Sequence, residues 1–196
     1  MAAIKFEDLI KLGTPKSRLD ESTNWMNESI KRVRNISPNT FMSANREFLV
    51  NGINQRRIGK LFMFFYDPKG KDTMPYYDFF PLVIPFKLHP DGFTGINLHY
   101  IPPILRARLM DALYDLMNND KMDETSRLRV TYDLLNSSAR FKYFRPCIKR
   151  YLLNQTRSRF LQIPIEDWDK AIFLPTERFN VPKQQVFNDS RKAIYG

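Results

Sequence analysis

One cysteine, Cys147, stands in 196 residues. That count excludes an intrachain disulfide and any zinc site built on cysteines, and it suits synthesis in a reducing cytoplasm. Only two histidines occur, His89 and His99, with no HxH or HxxxH spacing. Metal sites usually need several ligands at such spacings, so no metal and no cofactor is expected. The chain also lacks GxxxxGK[ST], GxGxxG and GxSxG, which leaves nucleotide hydrolysis, dinucleotide binding and serine-hydrolase chemistry without support. The N-terminal stretch MAAIKFEDLIKLG has no long apolar core, and no apolar run approaches the ~20 residues of a membrane span. The chain is expected to be neither secreted nor membrane-bound.

What is present is aromatic and basic. Sixteen Phe, nine Tyr and 43% hydrophobic residues suffice for a packed core. A net charge of +10 favours a polyanionic partner, although an Arg-rich solvated surface explains it equally well.

Residues 1–58 read as a polar, helical or extended arm. Trp25, Met26, Ile30 and Val33 fall at helical spacing, and Ser37-Pro38-Asn39 ends that helix. From Gly59 the pattern changes. Leu61 to Tyr66 is a buried-strand run, and Asp67-Pro68-Lys69-Gly70 has type I turn chemistry. A second strand spans Leu82 to Lys87, where Pro81 and Pro85 indicate an edge or a bulge. His89-Pro90-Asp91-Gly92 turns the chain into a third strand, Phe93 to Tyr100. Pro102-Pro103 opens a helix through Met117, and further helices are expected around Leu128 to Leu135 and from Pro146 to Leu153. Arg159 to Pro164 is a fourth strand, residues 165–169 a single helical turn, and Ala171 to Leu174 a fifth strand. The polar tail 176–196 is expected to lie on a partner or trail.

This order predicts an α+β chain. Its strand, long loop, strand, turn, strand, insertion, strand sequence resembles an SH3-like β-barrel over 59–175. A helical insertion, 102–155, would lie between the third and fourth strands. A mixed sheet of other topology is the alternative.

Two groups of residues are candidates for binding. The first is basic: Arg140, Lys142, Arg145, Lys149, Arg150, Arg157 and Arg159, seven cations with no acid among them, interleaved with Phe141, Tyr143, Phe144 and Tyr151. Cations that hold phosphates beside aromatics that stack bases are the composition of a nucleic-acid surface. An acidic protein partner, or a solvated cationic face over an aromatic stripe, fits as well. The second group is Trp25, Tyr76, Tyr77, Phe79 and Trp168, aromatics of the kind that anchor protein interfaces. His99, with Asp67, Asp72 or Asp78, has the residue types of an acid–base or metal site, but a hydrogen-bonded structural histidine is the simpler reading. Asp67-Pro68-Lys69-Gly70-Lys71-Asp72 has the carboxylates and lysines of a nuclease, yet its Pro and Gly fit turn chemistry better. No catalytic residue is assigned, and no small-molecule substrate is expected.

The segments GKLFMFFYDPKGKDTMPYYDFFPLVIPF and DGFTGINLHYIPPILRARLMDAL, with SRFLQIPIEDWDKAIFLPTERF further on, resemble small virion proteins of large contractile-tailed phages of the T-even kind. The resemblance implies a non-enzymatic structural protein located in the virion, made in the host cytoplasm and docking other virion proteins in a multi-subunit assembly. A baseplate-hub component comes first among its members. The alternative is a neck or DNA-end-associated protein, a basic chain that contacts or protects the genome end.

Overall fold

A computed structural model describes residues 37–103 and 142–195, together with 105–107, 109, 110, 133, 135 and 136. Trp25, Arg140 and most of the helices expected between 104 and 140 lie outside the described residues, as does the first part of the arm.

The segment 37–58, expected to be part of the arm, is built into the domain. Helix α1, Pro38–Ala44, is capped by the Ser37 hydroxyl, which accepts from Thr40 N at 3.1 Å. Strand β1, Leu49–Val50, follows. Next come β2 (Leu61–Met63), β3 (Leu82–His89), β4 (Gly92–Asn97), β5 (Ile148–Leu152) and β6 (Phe160–Ile163). The helices after them are α2 (Trp168–Phe173) and α3 (Lys183–Tyr195).

The strands form one antiparallel sheet in the order β1-β6-β2-β3-β4-β5. The α+β class holds, but the sheet is open and the SH3-like closure is not found. The reason is local: β1 docks on β6 and β5 docks on β4, so the two positions that a barrel would join carry separate edge strands. The insertion does fall between β4 and the strand that pairs with it, but that strand is β5. It was expected as a helix over Pro146–Leu153. Pro146 instead sits near the end of a 3-10 segment, Lys142–Cys147, and Ile148–Leu152 is held as a strand by its ladder to β4. Pro85 lies in a central strand and marks a bulge between Pro85 and Lys87.

Two further expectations are corrected. Ala171–Phe173 is helical, because a four-residue apolar run does not distinguish strand from helix. The tail is no trailing segment either: α3 buries Val186, Phe187, Ser190 and Ile194 on the core of its own chain.

Both faces of the sheet are covered. Along β2 and just past it, Leu61 and Met63 point to the face that packs the helices, while Phe62 and Phe64 point to the other. The second face is an aromatic cluster around Phe64, whose ring lies 4.7 Å from Phe160 and 5.2 Å from Tyr151 between centroids. Phe93 stacks on Tyr151 at 5.3 Å. Such pairs add ~0.5–1.5 kcal/mol beyond their burial and fix the edge strand β5 against the sheet.

Candidate nucleic-acid interface

A cleft of about 580 Å³ opens beside β5, between that edge strand and the loop 66–78. Tyr66, Tyr76, Tyr77, Tyr100 and Tyr151 line it, with Lys69, Lys149 and Arg150. Each wall is held by bonds that its sequence dictates. The loop starts at Tyr66, whose N–H donates to Phe79 O (3.0 Å) and whose hydroxyl accepts from Leu152 N (3.2 Å). The Asp67 N–H donates to Gln155 O at 3.1 Å, tying the loop to the segment after β5. The side chain of Asp67 pairs with Lys71 and Arg157, both at 3.1 Å, and these bonds hold its carboxyl below the ordinary value.

At the back of the cleft the Lys149 ammonium sits 4.0 Å from the centre of the Tyr100 ring, a cation–π contact. Burial pushes the Lys149 ammonium pKa down and the Tyr100 hydroxyl pKa up, so at neutral pH the phenol is uncharged. Arg150, on the outer part of the same strand, pairs with Asp91. The Arg150, Arg157 and Lys71 pairs are solvent-exposed, where water and salt screen them, so a phosphate can compete with their carboxylates.

A buried polar network runs inward from the cleft wall, which Asp78 helps to line. Asp78 accepts from His99 Nδ1 (2.7 Å), Asn97 Nδ2 (3.2 Å) and the Phe80 and Arg178 N–H groups (3.1 and 3.3 Å). His99 Nε2 meets Thr176 Oγ1 at 3.2 Å. Asp78, His99 and Thr176 thus stand in the order of a hydrolytic triad. All three are buried, His99 completely, and each is engaged in fixing backbone of β4, the loop and residues 176–178. His99 is hydrogen-bonded at both ring nitrogens. Among the described residues no three metal-ligating side chains converge, and Cys147 is buried with its thiol donating to Phe144 O.

Next to it, Arg106 and Glu177 form a buried pair at 2.6 Å. Burial alone would raise the Glu177 carboxyl, but Arg106, His99 and Lys183 outweigh it and hold the pKa at about 2. A depressed carboxyl contributes stability that is complete above its unfolded value, ~4.3, and is lost as pH falls through the folded value. The urea midpoint should therefore drop as pH is lowered from about 4.3 to about 2. Glu177→Gln should flatten that part of the profile; an unchanged profile would mean that the pair does not carry it.

The cations named from sequence divide accordingly. Lys149 and Arg150 line the cleft, and Arg157 stands at its loop through Asp67. Arg145 and Arg159 are exposed elsewhere on the surface. Among the aromatics, Tyr76 and Tyr77 line the cleft, and Phe79 is exposed, packing edge-on to Tyr77 at 4.7 Å. Trp168, expected on a surface, is buried, and its Nε1–H donates to Ile163 O at 3.0 Å. The residues that sequence reasoning did not assign to a site are Lys69, Tyr66 and Tyr100. Lys69 read as turn chemistry and the tyrosines as strand faces, and only the folding of the loop over β5 brings them together.

A family model described as phage T4 terminal DNA protecting protein matches residues 13–194. No curated protein and no solved structure matches the chain.

Proposed function

The chain belongs to the phage T4 terminal DNA protecting protein family, and from that membership we propose that it is a virion protein that covers the ends of the phage genome. It does so by binding, without turnover. The observation that carries this reading is the cleft beside β5, where cations and tyrosines converge on one surface of a chain carrying a net charge of +10. The family match supports the DNA-end reading of the sequence and lends none to a baseplate hub. Phosphates would be met by Lys69, Lys149, Arg150 and Arg157, while Arg145 and Arg159 are exposed outside the cleft. Other virion proteins are the expected second partners, reached through surfaces such as the exposed Phe79.

Fluorescence anisotropy on a linear duplex, with a closed circle of the same sequence as competitor, tests the end requirement. The linear form should be held in excess of circle, and affinity should fall steeply with salt because neutralised phosphates release counterions. Changing Arg145, Arg150, Arg157 and Arg159 together to Gln should lower the salt slope by ~0.9 for each phosphate no longer neutralised. A circle that competes as well as the linear duplex would refute end recognition.

A further inference from the structure

The cleft has a size and chemistry of its own, and resting on the DNA-end reading we propose that it takes one unpaired strand at the DNA terminus. Its volume of about 580 Å³ lies within the ~300–1,000 Å³ of sites that enclose a small molecule. That is room for a terminal nucleotide or two and far too little for a duplex.

The walls match a single strand. Lys149 sits in the cleft over the Tyr100 ring, and no carboxylate among the described residues forms an ion pair with it. Asp78, which also lines the cleft, is engaged by His99, Asn97 and the Phe80 and Arg178 N–H groups. A partly desolvated ammonium facing a cavity is a site for an anion. Lys69, from the opposite wall, supplies a second cation. The edge strand adds backbone donors: the Leu152 N–H turns away from β4 to reach Tyr66. By the two-residue alternation of an antiparallel ladder, the N–H groups of Arg150 and Ile148 face the same way, toward the cleft they line. Half-buried Tyr76 and Tyr77 line the other wall, Tyr76 beside Tyr100 and Phe179 and Tyr77 edge-on to Phe79. Phosphates on one side and stacking faces on the other are what a strand with splayed bases requires. A base still paired in a duplex presents no face to stack.

An end-covering protein with such a cleft holds the last nucleotides apart from their complement, so a frayed or overhanging end is its preferred ligand. The test uses the full chain and a DNA hairpin, closed by its loop at one end, with the other end either blunt or carrying a three-nucleotide 5′ or 3′ tail. A tail should tighten binding by roughly tenfold, given ~1–3 kcal/mol for each stacked base. Tyr77→Ala and, separately, Lys149→Met should bring the tailed-to-blunt ratio close to one, with circular dichroism verifying the fold. Equal binding of blunt and tailed hairpins by the wild-type chain would overturn the proposal while leaving DNA-end binding intact; binding to neither would overturn the DNA-end reading itself. A polyglutamate peptide that abolishes the tail preference at concentrations no higher than the DNA would assign the cleft to an acidic protein segment instead.

Discussion

Arg106→Ala is expected to destabilise the protein by about 3–5 kcal/mol, the cost of breaking a buried ion pair by removing one partner. Set against the ~5–15 kcal/mol of a typical domain, that is enough to unfold a substantial share of the chain at physiological temperature. Arg106 is 1% exposed and spends its donors on separate segments. Its Nε donates to Ile101 O at 2.9 Å, its Nη1 to Ile172 O at 3.0 Å, and its Nη2 to His99 O at 3.4 Å and to Glu177 Oε1 at 2.6 Å. Its guanidinium also lies 5.7 Å from the centre of the Phe187 ring. One side chain therefore joins the turn after β4, the end of α2, the Glu177 segment and α3. Truncation leaves the Glu177 carboxylate buried without its principal partner and strands three carbonyls. Arg106→Lys keeps the charge but cannot reproduce the planar fork, so it should fall between wild type and alanine. The double variant Arg106→Met with Glu177→Leu should recover most of the loss, since replacing both charges removes the desolvation problem. Urea midpoints decide the matter. An Arg106→Ala variant within about 1 kcal/mol of wild type would mean that the tail is held by α3's apolar contacts alone.

Much of the sheet was legible because its central strands declare themselves. Leu61–Met63, Leu82–His89 and Gly92–Asn97 are apolar runs set off by Pro, Gly and Asp turns, and the fourth expected strand appears as β6. The edges were not legible. Leu49–Val50 is two residues long in a polar segment, and its strand character comes entirely from pairing with Phe160 and Leu161. IKRYL carries two adjacent cations and follows a proline, and its strand conformation depends on a ladder to β4, some fifty residues earlier. Without those two edges, the central strands have the order of a small barrel; with them, the sheet opens. In α3, Val186, Ser190 and Ile194 form an i, i+4, i+8 stripe that was readable, but the surrounding KQQ and NDSRK outweighed it.

The candidate site was legible in its charge and not in its shape. Lys149 and Arg150 stood out as part of an acid-free basic run, and Tyr151 as one of the aromatics among them. Composition alone could not show that Lys149 faces Tyr100 while Arg150 reaches Asp91. That separation follows from β-strand alternation, which a helical reading of Pro146–Leu153 conceals. Asp78 and His99 had been considered together as possible chemistry, and they do meet. Both side chains are buried, His99 wholly, while Asp78 also borders the cleft, and their hydrogen bonds brace the loop that forms the cleft wall.

Gly92→Ala is expected to be strongly destabilising, and to remove the site along with the sheet edge. A Cβ at Gly92 would overlap Tyr151 O outright and lie 2.9 Å from Tyr151 C and 3.1 Å from Leu152 Cα. All three are backbone atoms of β5, so no side-chain rotation relieves the overlap. The φ of Gly92 is not positive, which means that close approach, and not turn geometry, demands glycine here. The only relief is for β5 to move off β4. That movement would break the Gly92–Leu152 and Phe93–Tyr151 pairing and unstack Phe93 from Tyr151. Over-packing commonly costs ~1–3 kcal/mol, and an overlap confined to backbone belongs at or above the top of that range. Because Lys149, Arg150, Tyr151 and the Leu152 anchor for Tyr66 all ride on β5, DNA affinity should fall with stability even in the fraction that remains folded. Gly70→Ala is the matched control: it also lines the cleft, but its added Cβ would sit 3.5 Å from Thr73 Oγ1, an ordinary contact. It should stay within ~0.5 kcal/mol of wild type. If Gly92→Ala matched Gly70→Ala in both urea midpoint and anisotropy, β5 would not be the strand on which the cleft depends.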